Sequence, residues 1–277
     1  MVERDGLQNR WRKPAWVQIP LSTLELNMEI LGFWHNAIIL PSWEIILLDQ
    51  YKELCKSGLL DATSKIHLHT VGTLDKNVIP GEIRNCSKII CTFSESLTEY
   101  EFPTLNLLKQ ECMNEDDGAN VWYIHIKGAS YAGIPHTTCF SSFACKSQYN
   151  DNVWAWRKYM EYFVIENWRE CVKALLENDI AGTQWISKWY WLHFSGNFWW
   201  AKAKYINGLP NIYEFYNDVG QDRHLAEFWI GLGKPKVKNF YFYSKVDENE
   251  QPFGDAYQIP NLYAERIERS DYNIFGS

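Results

Sequence analysis

VWYIHIKGAS, residues 121–130, is a mostly apolar run that ends in His125, Lys127 and Gly128 where an α/β site more often carries carboxylates. A short apolar run closed by turn residues reads as a buried strand, and the carboxyl end of a strand in an α/β sheet faces the ligand crevice. The polar groups at this end therefore belong to a site, not to packing. A histidine and a lysine delivered there suit an anionic ligand.

Working outward toward the N-terminus, strands alternate with helices. Residues 33–40 form a candidate first strand, and Pro41-Ser42 opens a helix over 43–56, with Ser42 as N-cap, Glu44 and Lys52/Lys56 matching the helix dipole, and Gly58 as a left-handed stop. IHLHTV at 66–71 alternates as a strand ending at Gly72, and 88–92 is a third strand. Pro103, whose missing N–H costs nothing at a first helical position, starts a helix over 103–113. This pattern predicts an α/β fold with a mixed, mainly parallel central sheet flanked by helices.

Beyond Gly128 the texture changes. Residues 129–152 carry Gly, Pro, Ser, Thr, Asn and Asp with little periodicity, and a long irregular loop of this kind is a lid candidate. Asp151 is expected to cap a helix to residue 177, with Trp156, Met160, Phe163, Val164, Cys171, Val172 and Leu175 on its apolar face. Residues 180–185 read as another strand, and the segments 191–202, 205–209 and 222–229 follow. The whole chain reads as one domain, with 1–30 as an N-terminal extension and 240–277 as a C-terminal tail.

Composition removes several function classes. The formal charge of −7, from 27 basic and 34 acidic residues, offers no basic face for a nucleic-acid backbone. Seven cysteines in an odd set without C-x-x-C spacing argue against a disulfide framework and a zinc knuckle. No apolar run is long enough for stable membrane insertion, and the N-terminal segment has no apolar core of a signal peptide, so the expected location is cytoplasmic. Aromatics, at 14 Trp, 16 Tyr and 14 Phe, are the anomaly. They fit a large aromatic core, or flat platforms for the C–H face of a sugar.

Familiar phosphate and hydrolase signatures are missing: there is no P-loop, no G-x-G-x-x-G, no H-E-x-x-H. Phe194-Ser195-Gly196-Asn197 approaches a nucleophile elbow, but His193 stands where the elbow needs glycine. What remains is a crevice, a His/Lys strand end, a small-residue turn among aromatics, and a late acidic helix start. Four segments carry the pattern further: Tyr123 to Gly128, Trp156 to Phe163, His193 to Trp200 and Arg223 to Gly231. Together they resemble small bacterial and large-DNA-virus members of the GT-A class of nucleotide-sugar glycosyltransferases, which in a virus would work in the host cytoplasm.

That resemblance implies the site. In GT-A enzymes a strand-end Asp-x-Asp holds a divalent metal on the donor diphosphate, and His125-Ile126-Lys127 stands in its place here. The implied chemistry is inverting transfer, of a hexosyl or pentosyl group, from a UDP-sugar to a glycan hydroxyl. Glu227 would be the base, with Asp222 in reserve, and Lys127 with His125 would stabilise the departing diphosphate. Thr70, Val71, Gly72, Gly128 and Arg157 would hold the donor. His193, Ser195, Gly196, Asn197, Trp199, Trp200 and Arg223 would serve the acceptor side, although Trp199 and Trp200 face opposite ways if extended. No metal or other cofactor is expected, with Mn²⁺ or Mg²⁺ as the alternative. Plainer readings stay open: a strand-end histidine bonded to backbone, a solvated lysine, a surface acid, or a non-catalytic carbohydrate-binding protein that uses its tryptophans.

Overall fold

The computed structural model describes residues 28–39, 42–114, 118–129, 147–187, 191–220 and 222–240. The N-terminal extension as far as residue 27, the proposed lid over 130–146 and the tail from 241 lie outside the described residues.

In chain order the elements are β1 (Ile30–Ala37), α1 (Ser42–Ser57), α2 (Leu59–Ala62), β2 (Lys65–Val71), α3 (Gly81–Arg84), β3 (Ile89–Ser94), α4 (Phe102–Asn114) and β4 (Asn120–His125). They continue through α5 (Ser147–Glu161), α6 (Trp168–Ala174), β5 (Ile180–Thr183), β6 (Trp185–Ile186), β7 (His193–Phe194) and β8 (Trp199–Lys202). The described chain ends with α7 (Ala203–Asn207), α8 (Ile212–Val219), α9 (Leu225–Phe228) and β9 (Val237–Phe240). Seven strands make the main sheet in the order β3-β2-β1-β4-β8-β5-β9. All pairings are parallel except those of β8, which runs against β4 and β5. The fold is α/β, as the alternation of elements predicts.

Helices cover both faces. On one, Trp34, Trp122 and Ile124 meet Ile46 and Leu47 of α1 and Met160 of α5. On the other, Leu31, Phe33, Val121 and Tyr123 meet Leu105 and Leu108 of α4, Ile206 of α7 and Ile212 of α8. Successive side chains of a strand point to opposite faces, so a strand covered on both sides is apolar throughout. Every residue of β1 is buried.

Among the described residues much of the aromatic content is core. Trp34, Trp122, Trp199, Trp200 and Trp229 are all fully buried. Each indole N–H finds an acceptor: Gln50 Oε1 for Trp34, Thr63 Oγ1 for Trp122, Asn197 Oδ1 for Trp199, Val164 O for Trp200 and Pro210 O for Trp229. Tryptophan can be buried at this density only when its polar edge is satisfied.

Several boundaries differ from the sequence reading. β1 ends at Ala37, three residues early, because the chain turns there, with Ile39 N bonded to Ala37 O at 3.0 Å. Ser42 spends its hydroxyl on Ala129 O at 2.6 Å, tying α1 to the turn after β4. The helix expected from Asp151 starts at Ser147 and is interrupted by a π-helical turn, Tyr162–Glu166, before α6. The wider turn leaves carbonyls for side chains: Phe163 O accepts from Cys171 Sγ at 3.3 Å and Val164 O from Trp200 Nε1 at 2.8 Å. Apolar periodicity does not register a one-residue bulge.

Trp200→Phe keeps most of the ring volume but orphans Val164 O. The variant is expected to lose about 2–3 kcal/mol of stability, read as a lowered urea midpoint at unchanged slope.

Candidate functional site

A cleft of about 410 Å³ opens at the carboxyl ends of β1, β2 and β4, lined among others by His35, Val71, Glu101, His125, Lys127 and Glu227. β1 pairs with β2 on one side and β4 on the other: the chain runs outward from β1 through β2 to β3 and then crosses back to β4. Such a switch point creates a crevice above the strand ends for a topological reason, independent of side chains.

Two charges of opposite sign dominate it. Lys127 Nζ lies 3.7 Å from Glu227 Oε1, the two side chains being 15% and 20% exposed. Lys127 enters from the turn after β4. Its ammonium rests 4.6 Å from the Trp156 ring centroid, and its carbonyl accepts from Arg157 Nη1 at 3.3 Å. The next residue, Gly128, has φ 84°, and a Cβ there would come within 2.5 Å of Val153 Cγ1. Only glycine lets the strand turn this sharply over α5. Arg223 and His224 also line the cleft.

Glu227 sits on the short helix α9. Burial pushes its carboxyl up, but Lys127, His193, His125 and the Gly196 N–H together outweigh burial and hold it below the ordinary carboxylate value. Gly196 is the hinge of this arrangement: its N–H serves Glu227, and its carbonyl accepts from His125 Nε2 at 2.8 Å. It occupies φ 89°, and a Cβ would strike Met160 Sδ at 2.5 Å.

Glu101, which the sequence reading passed over, is the second carboxylate in the cleft. It precedes α4, where its carbonyl accepts from Leu105 N at 3.1 Å. Its Oε2 accepts from Tyr123 OH at 2.7 Å and from Asn197 Nδ2 at 2.6 Å, and its Oε1 lies 3.7 Å from His125 Nδ1. The available signal was an acid just ahead of the Pro103 helix start. Nothing in the sequence tied it to a strand far along the chain.

His125, Lys127, Glu227, Gly128, Val71 and Arg223 all line the cleft, and several other expected contacts do not. Arg157 is fully buried under the Lys127 turn, held by Glu161 at 3.1 Å and Asp49 at 3.5 Å, so it supports the turn and does not reach the cleft. Thr70 is buried with its hydroxyl on Asn36 Nδ2 at 3.2 Å. Gly72 lies just past the lining residue Val71. Trp199 and Trp200 point to opposite faces as expected, but both are core and offer no ring face. Asn197 is buried as a bridge between Glu101 and Trp199. His193 packs edge-on to Phe228 behind Glu227, and Ser195 donates its N–H to Gln184 O at 3.0 Å. Asp222 is 57% exposed and bound to His224 at 2.8 Å, outside the cleft lining. Among the described residues no tryptophan lines the cleft.

His35 and His125, which line the cleft, continue into a row of imidazoles, since His69, His35 and His125 are register partners on adjacent strands. His35 Nδ1 pairs with Thr104 Oγ1 at 2.9 Å. Burial drives its pKa down to about 3, with the nearby Glu101 opposing and His125 and His69 reinforcing. His35 thus stays neutral in the fold.

The fold and the cleft define an α/β, Rossmann-like domain with a charged crevice at the strand ends. A family model described as "Domain of unknown function (DUF8361)" matches residues 41–254, and the chain belongs to that family. No curated protein sequence matches it. Among solved structures, 4-diphosphocytidyl-2C-methyl-D-erythritol synthase from Anaerococcus prevotii DSM 20548 is similar over 86% of this chain and 99% of that one, at 15% identity and a TM-score of 0.38.

The His35 environment has a measurable consequence. Unfolded, this imidazole takes a proton near pH 6.5; folded, it resists until about pH 3. The unfolded chain therefore holds more protons between those values, and stability falls as pH drops below 6.5. The depressed Glu227 carboxyl adds stability that is complete above its unfolded value of about 4.3 and is lost further into acid. Urea titrations at pH 7.5, 6 and 5 should show His35→Asn losing less stability over this range than the parent, by up to about 1.4 kcal/mol per pH unit. Equal losses would remove His35 as the source.

Proposed function

We propose that this protein is a nucleotide-sugar glycosyltransferase of GT-A type that inverts the anomeric centre of a UDP-sugar. The observation that carries the reading is the pairing of Lys127 with Glu227 at 3.7 Å in a cleft at the sheet's switch point. Supporting it, the four resembling segments meet there. His125 and Lys127 come from the first. Trp156, Arg157 and Met160 of the second lie beneath Lys127 and Gly196. Gly196 belongs to the third, Glu227 and Arg223 to the fourth.

In the reaction, Glu227 takes the proton of an acceptor hydroxyl, whose oxygen attacks C1 of the donor sugar. The C1–O bond to the diphosphate breaks, and its electron pair leaves on a β-phosphate oxygen. Lys127 neutralises the charge that develops on that oxygen, as preorganised cations do at departing phosphates. His125 stands beside it, fixed by Gly196 O, and Arg223 at the rim reaches for the substrates' polar groups.

The donor set does not suit a divalent ion. Lys127 stands where the metal-binding acids of the class would be and already balances Glu227, while Glu101 Oε2 is occupied by two hydrogen-bond donors. Transfer should therefore proceed in EDTA, and full dependence on Mn²⁺ would overturn this part of the reading. The carbohydrate-binding alternative needs exposed tryptophan platforms, and the cleft has none among its described lining.

UDP should raise the thermal midpoint of the purified protein, and screening UDP-sugars for released UDP identifies the donor. Glu227→Gln is expected to cut kcat about a thousandfold with folding intact. Lys127→Ala should weaken UDP binding roughly tenfold or more. No response to UDP, or full kcat in Glu227→Gln, would sink the proposal.

A further inference from the structure

The ion pair at the centre of the cleft gives its two members conflicting tasks. A carboxylate 3.7 Å from an ammonium, with a backbone N–H on it as well, is a poor proton acceptor. An ammonium spent on a carboxylate is likewise not available to phosphate.

The surroundings say which partner can move. Arg157 fixes the backbone of Lys127 through its carbonyl, and Gly128 fixes the turn, but the ammonium itself ends a flexible four-carbon stem lying on the Trp156 ring. Glu227 stays where Gly196 N–H holds it. The other groups facing Glu227 are also fixed. His125 is bound at Nε2 by Gly196 O. His193 is kept neutral near pH 7 by burial and anchored on Trp191 O. Tyr123 stays protonated on Glu101. Arg223 and His224 lie on Glu227's own segment, at the rim.

Resting on the donor reading above, we propose that Lys127 exchanges partners during the cycle. In the empty cleft it pairs with Glu227; a bound diphosphate, carrying more charge than one carboxylate, draws the ammonium off and leaves Glu227 to take the acceptor's proton. The base is then switched on by the donor. The acceptor hydroxyl meets a competent base only after the donor is seated, and release of UDP restores the resting pair.

The test is the titration of the Glu227 carboxyl, followed by ¹³C NMR on protein labelled at glutamate Cδ and assigned with Glu227→Gln. On saturation with UDP the midpoint should rise by at least about one pH unit, a tenfold gain in proton affinity. In Lys127→Met, with an unchanged near-ultraviolet circular dichroism spectrum, the midpoint should already be raised without ligand, and UDP at saturating concentration should move it less than in the parent. UDP bound to the parent with the midpoint unmoved would overturn the exchange and leave the donor reading standing. Failure of UDP to bind would remove the donor reading; the ligand-free Lys127→Met titration still judges the ion pair, and an unmoved midpoint there overturns its hold on Glu227.

Discussion

The side-chain amide of Asn197 joins the core of this protein to its cleft. Its oxygen accepts from the buried Trp199 and its nitrogen donates to Glu101, so both ends of the amide are committed and its orientation is fixed. Because Asn197 cannot turn, neither can Gly196 beside it, whose two backbone groups hold His125 and Glu227. A buried polar side chain left half satisfied would cost more than it contributes. Satisfied at both ends, it transmits the rigidity of an aromatic core to two groups that line solvent-filled space.

The same economy explains the tryptophans. Their clustering invites a reading as sugar platforms, but five of them lie wholly inside, each with a bonded N–H. Trp156 works at the boundary: its indole N–H donates to Gln184 Oε1 while its ring face lies under Lys127. Trp156 therefore serves the site from below, as the surface on which the Lys127 stem lies and as one of the side chains packed against Gly196.

Much of the fold was legible because the sheet is buried on both faces. Strands such as β1 and β4 are largely apolar runs bracketed by turn residues, so their existence could be read from the sequence. The π-turn at Tyr162–Glu166 was not legible, since it is set by where Trp200 and Cys171 need acceptors, and those residues arrive later in the chain. At the cleft, His125, Lys127 and Glu227 could be named because a strand end and a late acidic helix start have positional meaning. Glu101 could not, because its role depends on Tyr123 and Asn197 meeting it in space. Arg157 misled for a related reason: a cation near a glycine-rich turn looks like an anion ligand, yet burial with Glu161 makes it a support.

The one antiparallel strand described in the main sheet, β8, has a consequence for assembly. The sheet from β3 to β4 is built from consecutive chain and holds Lys127 at its margin, whereas Glu227 and Gly196 arrive only when β8 docks against β4. The two halves of the charged cleft thus belong to segments distant in sequence, and closing such distant contacts is the slow part of forming a fold. A nascent chain that has condensed only its first half lacks Glu227 and the Gly196 N–H that holds it. Competence of the cleft is then a property of the finished sheet alone, and any assay of it doubles as a count of fully folded molecules.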